Sequence, residues 1–95
     1  MLYVIHAIDK PDHLQVRLAN RPAHVEYVKS GPNKLLLAGP LMQEDHETPK
    51  GTLLIIEAEN LEEAEAFASN DPYNQAGLFA EITVTALNKT MGWNG

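Results

Sequence analysis

Two uninterrupted aliphatic runs, Leu35 to Leu37 and Leu53 to Ile56, constrain the fold more than any other feature of this chain. Successive side chains of a strand point to opposite faces, so each run makes both faces of its sheet apolar. At 95 residues, 44% of them hydrophobic, the chain fits one compact domain over residues 1–95, with no room for a second. Both faces must therefore be covered from within one small unit or by another copy of it.

The rest of the pattern says how much cover the chain itself carries. Leu2 to Ile8 form a β-rich run that stops at Asp9, Lys10, Pro11 and Asp12. Asp12 with Gln15 is a capping-box pattern, and Leu14, Leu18, Val25 and Val28 follow at helical spacing. Pro22 inside that segment predicts a kinked or a two-part helix, the latter broken near Asn20 with Pro22 opening a second piece. Gly31 and Pro32 end it, Lys34 to Ala38 form a short strand before Gly39 and Pro40, and Gln43 to Lys50 read as an exposed loop. Thr52 to Ala58 are a strand, and Asn60 with Glu63 caps a helix with Leu61, Ala64, Phe67 and Ala68 inward. Asn70, Asp71 and Pro72 stop it. Ala80 to Leu87 then alternate, with Ile82, Val84 and Ala86 on one face. The order is βαββαβ, an α+β ferredoxin-like arrangement with an antiparallel sheet.

Two helices cover only one face of such a sheet. The other would expose a large aliphatic patch, and a partner subunit is the simplest cover, so a homodimer or higher homo-oligomer is expected. With 13 acidic and 7 basic residues the net charge is -6, and the cations are scattered, which argues against nucleic acid as a partner. No cysteine is present, so a disulfide framework, a Cys-ligated zinc and a thiol nucleophile are all excluded. No secretory pattern opens the sequence and no apolar run is long enough to span a bilayer; the expected location is cytoplasmic, without membrane association. No Gly-rich phosphate loop or nicotinamide fingerprint occurs, and no cofactor is expected.

Histidine suits proton transfer near neutrality, which makes the four histidines the first candidates for chemistry. His13 reads as a solvated residue of a first helical turn. His46 stands among Glu44, Asp45 and Glu47, but the spacing matches no coordination motif and no metal is expected there. His6 shares a strand face with Leu2, Val4 and Ile8 and is expected to be buried and hydrogen-bonded. His24 falls at the edge of the apolar stripe of its helix, beside Arg17, Arg21 and Val28, where it can look into a crevice or serve as an ordinary half-buried histidine. Asp71 is by itself a good helix stop or cap. Brought against His24, its carboxylate would fix the imidazole tautomer and orient a general base, although no local spacing establishes that pairing.

Arg21, Pro22, Ala23 and His24, then Leu37, Ala38, Gly39, Pro40 and Leu41, then Gly51, Leu53 and Leu54, and finally Asp71, Pro72 and Tyr73 with Ala76, Gly77, Leu78 and Phe79 resemble the YciI-like (YCII-related) family over nearly the whole chain. The resemblance implies a protomer that pairs through its open sheet face into a dimeric α+β barrel. It implies a His and Asp dyad at His24 and Asp71, a pocket lined by Gly39, Pro40 and Gly51, and a phenol from Tyr73. It also implies a His/Asp-dependent hydrolase or dehydrohalogenase type of reaction on a small molecule.

Two functional classes follow. In the first, His24 oriented by Asp71 removes a proton from a small substrate or a water, and Arg21 or a backbone amide near Gly39 stabilises the developing negative charge. In the second, the same pocket is a non-catalytic metabolite-binding module, or the dimer is a protein-interaction module. Loss of turnover on replacing His24 separates them.

Overall fold

The computed structural model describes residues 1–92; Trp93, which the sequence leaves open as a dimer contact, a pocket lid or part of a partly ordered tail, lies outside the described residues. The chain runs β1 (Leu2–Asp9), α1 (Leu14–Ser30), β2 (Leu35–Met42), β3 (Pro49–Glu57), α2 (Leu61–Ser69), α3 (Pro72–Gln75) and β4 (Phe79–Leu87). The strands form one antiparallel sheet in the order β2-β3-β1-β4, the ferredoxin-like α+β topology. Among the described residues no helix is long and apolar enough to cross a membrane.

Register decides what each strand buries. Ile5 of β1 lies opposite Leu54 of β3 and Val84 of β4, and directly opposed residues share a face. Tyr3, Ile5, Leu54 and Ile56 therefore meet Val28 of α1 and Ala64, Phe67 and Ala68 of α2 in one core, with Ile82 and Val84 packed against it. A fully buried side chain such as Ile56 or Phe67 stabilises the fold by about 1.5–3 kcal/mol. On the other face, Leu2, Val4, His6 and Ile8 align with Leu53 and Ile55 of β3 and with Thr83 and Thr85 of β4. Leu37 and Leu41 of β2 continue that apolar strip, with Leu37 39% exposed.

His6 corrects one expectation. It is exposed in the protomer, because it stands on the sheet face opposite the helices, in register with Leu53 and Thr83.

Helix α1 corrects another in part, since it continues through Pro22 as one helix and not as two. A proline inside a helix removes one backbone donor and costs about 3 kcal/mol. Both halves are nevertheless anchored from outside: Arg17 bonds Asp9 and Thr52 on the sheet, Tyr27 donates its hydroxyl to the Phe67 carbonyl at 2.8 Å, and Val28 enters the core. Those anchors hold the helix across the missing bond. Asp12 does not cap it. It adopts a left-handed backbone (φ 59°) in the preceding turn, and His13 takes the capping position without a side-chain cap bond.

Strand β2 runs beyond the expected end, through Gly39 and Pro40, because it is an edge strand and a proline there need not donate to a ladder. Helix α2 begins as expected, with Asn60 Oδ1 accepting from the Glu63 amide at 2.8 Å. The Glu63 carboxylate accepts from Asn33 Nδ2 at 2.6 Å and does not close the box. Leu61, expected inward, is exposed; Ala64, Phe67 and Ala68 form the inward stripe.

Candidate functional site

The continuity of α1 sets the site. Arg17, His24 and Val28 are its buried residues, seven and four positions apart, and so project from one side of an unbroken helix. A break at Asn20 would have separated them.

Asp71 meets His24 from the junction of α2 and α3. Its Oδ1 caps α3 by accepting from the Tyr73 amide at 2.9 Å, with Pro72 in the first helical position where its missing donor costs nothing. Both carboxylate oxygens lie 2.9 Å from His24 Nδ1. The capping and pairing roles are thus one geometry, since the cap aims the carboxylate at the imidazole. A carboxylate can only accept, so Nδ1 carries the hydrogen, and in the neutral ring Nε2 is the nitrogen that presents a lone pair. Among the described residues no buried side-chain nitrogen or oxygen lacks a partner, and Nε2 has none, so solvent reaches it. Asp71 itself is 1% exposed.

Tyr73 completes the wall. Its ring stacks on the imidazole at 4.0 Å with 12° between the planes, and meets Phe79 edge-on at 6.0 Å. Burial pushes the phenol above its ordinary pKa, the Arg17 and Arg21 charges pull against that, and Asp71 adds to the rise. The balance leaves Tyr73 a neutral phenol near neutral pH.

A further group was not singled out by sequence reasoning. Arg17 donates from Nε to Asp9 Oδ2 at 2.7 Å and from Nη2 to Asp9 Oδ1 at 2.9 Å and Thr52 Oγ1 at 2.8 Å. Its guanidinium also lies 4.7 Å from the Tyr73 ring centroid. The available signals were weak: Arg17 shares the helix edge with His24, and Thr52 opens an otherwise apolar strand.

These groups border a cavity of about 320 Å³ between α1 and the β2–β3 edge of the sheet. Arg17, Arg21, His24, Lys29, Thr52 and Tyr73 supply its polar lining, while Val25, Val28, Leu35 and Pro40 supply much of the apolar part. Gly39 also borders it.

The model of the YCII-related domain matches residues 1–88. The chain belongs to the YCII-related family. Protein YciI of Escherichia coli is 41% identical over 96 residues, covering 94% of this chain and 98% of that protein. An uncharacterized protein of Haemophilus influenzae is 40% identical with the same coverage. Among solved structures, the chain resembles the 5-chloro-2-hydroxyhydroquinone dehydrochlorinase TftG of Burkholderia phenoliruptrix, in complex with 2,5-dihydroxybenzoquinone: TM-score 0.81, 36% identity, 95% of this chain and 96% of that one. An antibiotic biosynthesis monooxygenase shares the fold alone, with TM-score 0.59 and 16% identity over 96% of this chain and 100% of that one.

In this YCII-related chain the expected site residues divide. His24, Arg21, Gly39, Pro40 and Tyr73 border the cavity, and Asp71 stands behind His24. Gly51 lies outside the cavity and is needed for another reason. A Cβ there would stand 2.3 Å from the Ala7 carbonyl oxygen, so only glycine lets β3 approach β1 this closely. His46 sits in a loop organised by Asp45, which accepts from the Glu47 and Thr48 amides and the Thr48 hydroxyl. Those bonds, the hydroxyl first, hold the Asp45 carboxyl below its usual range.

Proposed function

We propose that this chain is a small-molecule enzyme in which His24, oriented by Asp71, is the general base of a hydrolytic or dehydrohalogenase-type reaction. The observation that carries the reading is the pairing of His24 Nδ1 with both Asp71 oxygens at 2.9 Å while Nε2 stays open to solvent beside the cavity. Nε2 takes the substrate proton. In an elimination, the electrons of the broken bond to hydrogen form the new π bond and the halide leaves with its own pair, so no oxidant is needed. In a hydrolysis, the same nitrogen activates a water. Arg21 or a backbone amide near Gly39 faces the developing negative charge, and Tyr73 offers a neutral phenol. The dehydrochlorinase activity of TftG, at 36% identity, supports the elimination form.

The test is chloride release from 5-chloro-2-hydroxyhydroquinone by the wild-type chain and by His24→Gln. The variant is expected to lose turnover by about 10²- to 10⁴-fold, the usual weight of a general base, with its circular dichroism unchanged. Undiminished turnover overturns the assignment. Retention of the compound without product by both proteins would favour a binding module.

The assembly belongs to the same proposal, with a cytoplasmic location. Two protomers pair through the uncovered sheet face, covering Leu2, Val4, Leu37 and Leu53. Sedimentation is expected to show at least twice the 10.5 kDa chain mass; a monomer at micromolar concentration would remove the dimer.

A further inference from the structure

The distribution of charge around the cavity runs against the charge of the whole chain. The protein carries 13 acidic and 7 basic residues, yet Arg17, Arg21 and Lys29 line the cavity and no Asp or Glu does. The nearby carboxylates are already engaged: Asp9 neutralises Arg17, and Asp71 is held behind His24. Arg21 and Lys29 are exposed, and neither makes a hydrogen bond or ion pair among the described residues. Lys29 has an ordinary reason to sit in the last turn of α1, where a cation complements the helix dipole. Arg21, in the middle of the helix, has none.

Position sharpens the argument. Arg21 is three residues before His24 on the same helix, so the two side chains are neighbours on its surface, and both border the cavity. Lys29 is eight residues further along, about 12 Å on the helix axis, which places the second cation toward the far end of the cavity. Between them the wall is apolar, from Val25, Val28 and Leu35, and the stacked His24 and Tyr73 side chains also border the cavity. An apolar cavity with an unpaired guanidinium on the helix surface next to His24 suits a small apolar-bodied compound that already carries negative charge.

We propose that the cavity selects its substrate by charge: the ligand is a small organic anion with an apolar body, whose ionised oxygen is held by Arg21, with Lys29 adding to the attraction. This rests on the reading of the cavity as the substrate site and names the class of molecule it takes. The local positive field draws such an anion in despite the net charge of -6. Because Arg21 is exposed, the attraction is screened over about 8 Å at physiological ionic strength, and affinity falls as salt rises.

The experiment is calorimetric titration of the full chain with 2,5-dihydroxybenzoquinone, which ionises in neutral water, and with 2,5-dimethoxybenzoquinone, which has the same ring and no acidic hydroxyl. The dihydroxy compound is expected to bind about tenfold or more tighter, with an affinity that falls at high salt. Arg21→Gln should weaken the anion about tenfold and leave the dimethoxy compound unchanged, and Arg21→Lys should restore part of the loss. Lys34→Gln makes the same change in net charge outside the cavity and should alter neither. Equal affinity for the two compounds, no binding of the anion, or an Arg21→Gln chain that binds the anion undiminished would each overturn the inference. The general-base reading fails separately, through undiminished turnover in His24→Gln, whose anion affinity should persist.

Discussion

Asp71→Ala is expected to lower stability by about 3 kcal/mol, because one side chain performs two jobs that both end in buried groups. The α3 cap disappears with the carboxylate that accepts from the Tyr73 amide, a loss of about 1 kcal/mol. His24 Nδ1–H is left buried with no acceptor, which costs about 1–3 kcal/mol more. A domain of this size has only about 5–15 kcal/mol in total, so the change should be large in urea unfolding, as a lower midpoint with an unchanged slope. Asp71→Asn behaves differently. Its amide oxygen can still cap α3, so most of the stability returns, but one oxygen cannot serve the Tyr73 amide and the imidazole as the carboxylate does. Turnover should therefore stay low in Asn while the fold recovers. An Asp71→Ala chain with the wild-type midpoint would show that neither bond contributes.

Asp9→Ala is expected to cost about 3–5 kcal/mol, through a charge left behind more than through a contact removed. The side chains of Arg17 and Asp9 are only 6% and 9% exposed, and arginine cannot shed its proton to escape the interior. Without Asp9, the guanidinium keeps the Thr52 hydroxyl and the face of Tyr73 but no counter-charge. Replacing both members of the pair, as in Asp9→Leu with Arg17→Met, should cost less than Asp9→Ala alone, since no ion then remains buried. A double-mutant cycle read by chemical denaturation checks this: additive single and double changes would mean that the two side chains are not coupled.

These two networks differ in how far the amino-acid order reveals them. His24 was legible as a candidate because helical periodicity puts it at the edge of an apolar stripe, and Asp71 because Asn70, Asp71 and Pro72 form a local stop signal. Their partnership spans 47 positions, and the family resemblance suggested it where periodicity could not. The Asp9, Arg17 and Thr52 group had no comparable signal. Asp9 reads as the end of a strand, Arg17 as a neighbour of His24 at the edge of its helix's apolar stripe and Thr52 as a strand residue. Only the closeness of β1, β3 and α1 turns three ordinary residues into one buried network.

The same division runs through the fold. Strand alternation in β4, the Asn60 cap of α2 and the βαββαβ order are local properties, decided by the period of apolar side chains and by short-range hydrogen bonds, and they are written in the sequence itself. The unbroken path of α1 through Pro22, the extension of β2 through Pro40, the exposure of His6 and the exclusion of Gly51 from the cavity depended on tertiary structure. In each case a local preference met a non-local contact or its absence. Anchors on both sides of Pro22 outweigh one lost hydrogen bond, an edge position spares Pro40 a ladder donor, no helix covers His6, and the approach of Ala7 claims the space beside Gly51.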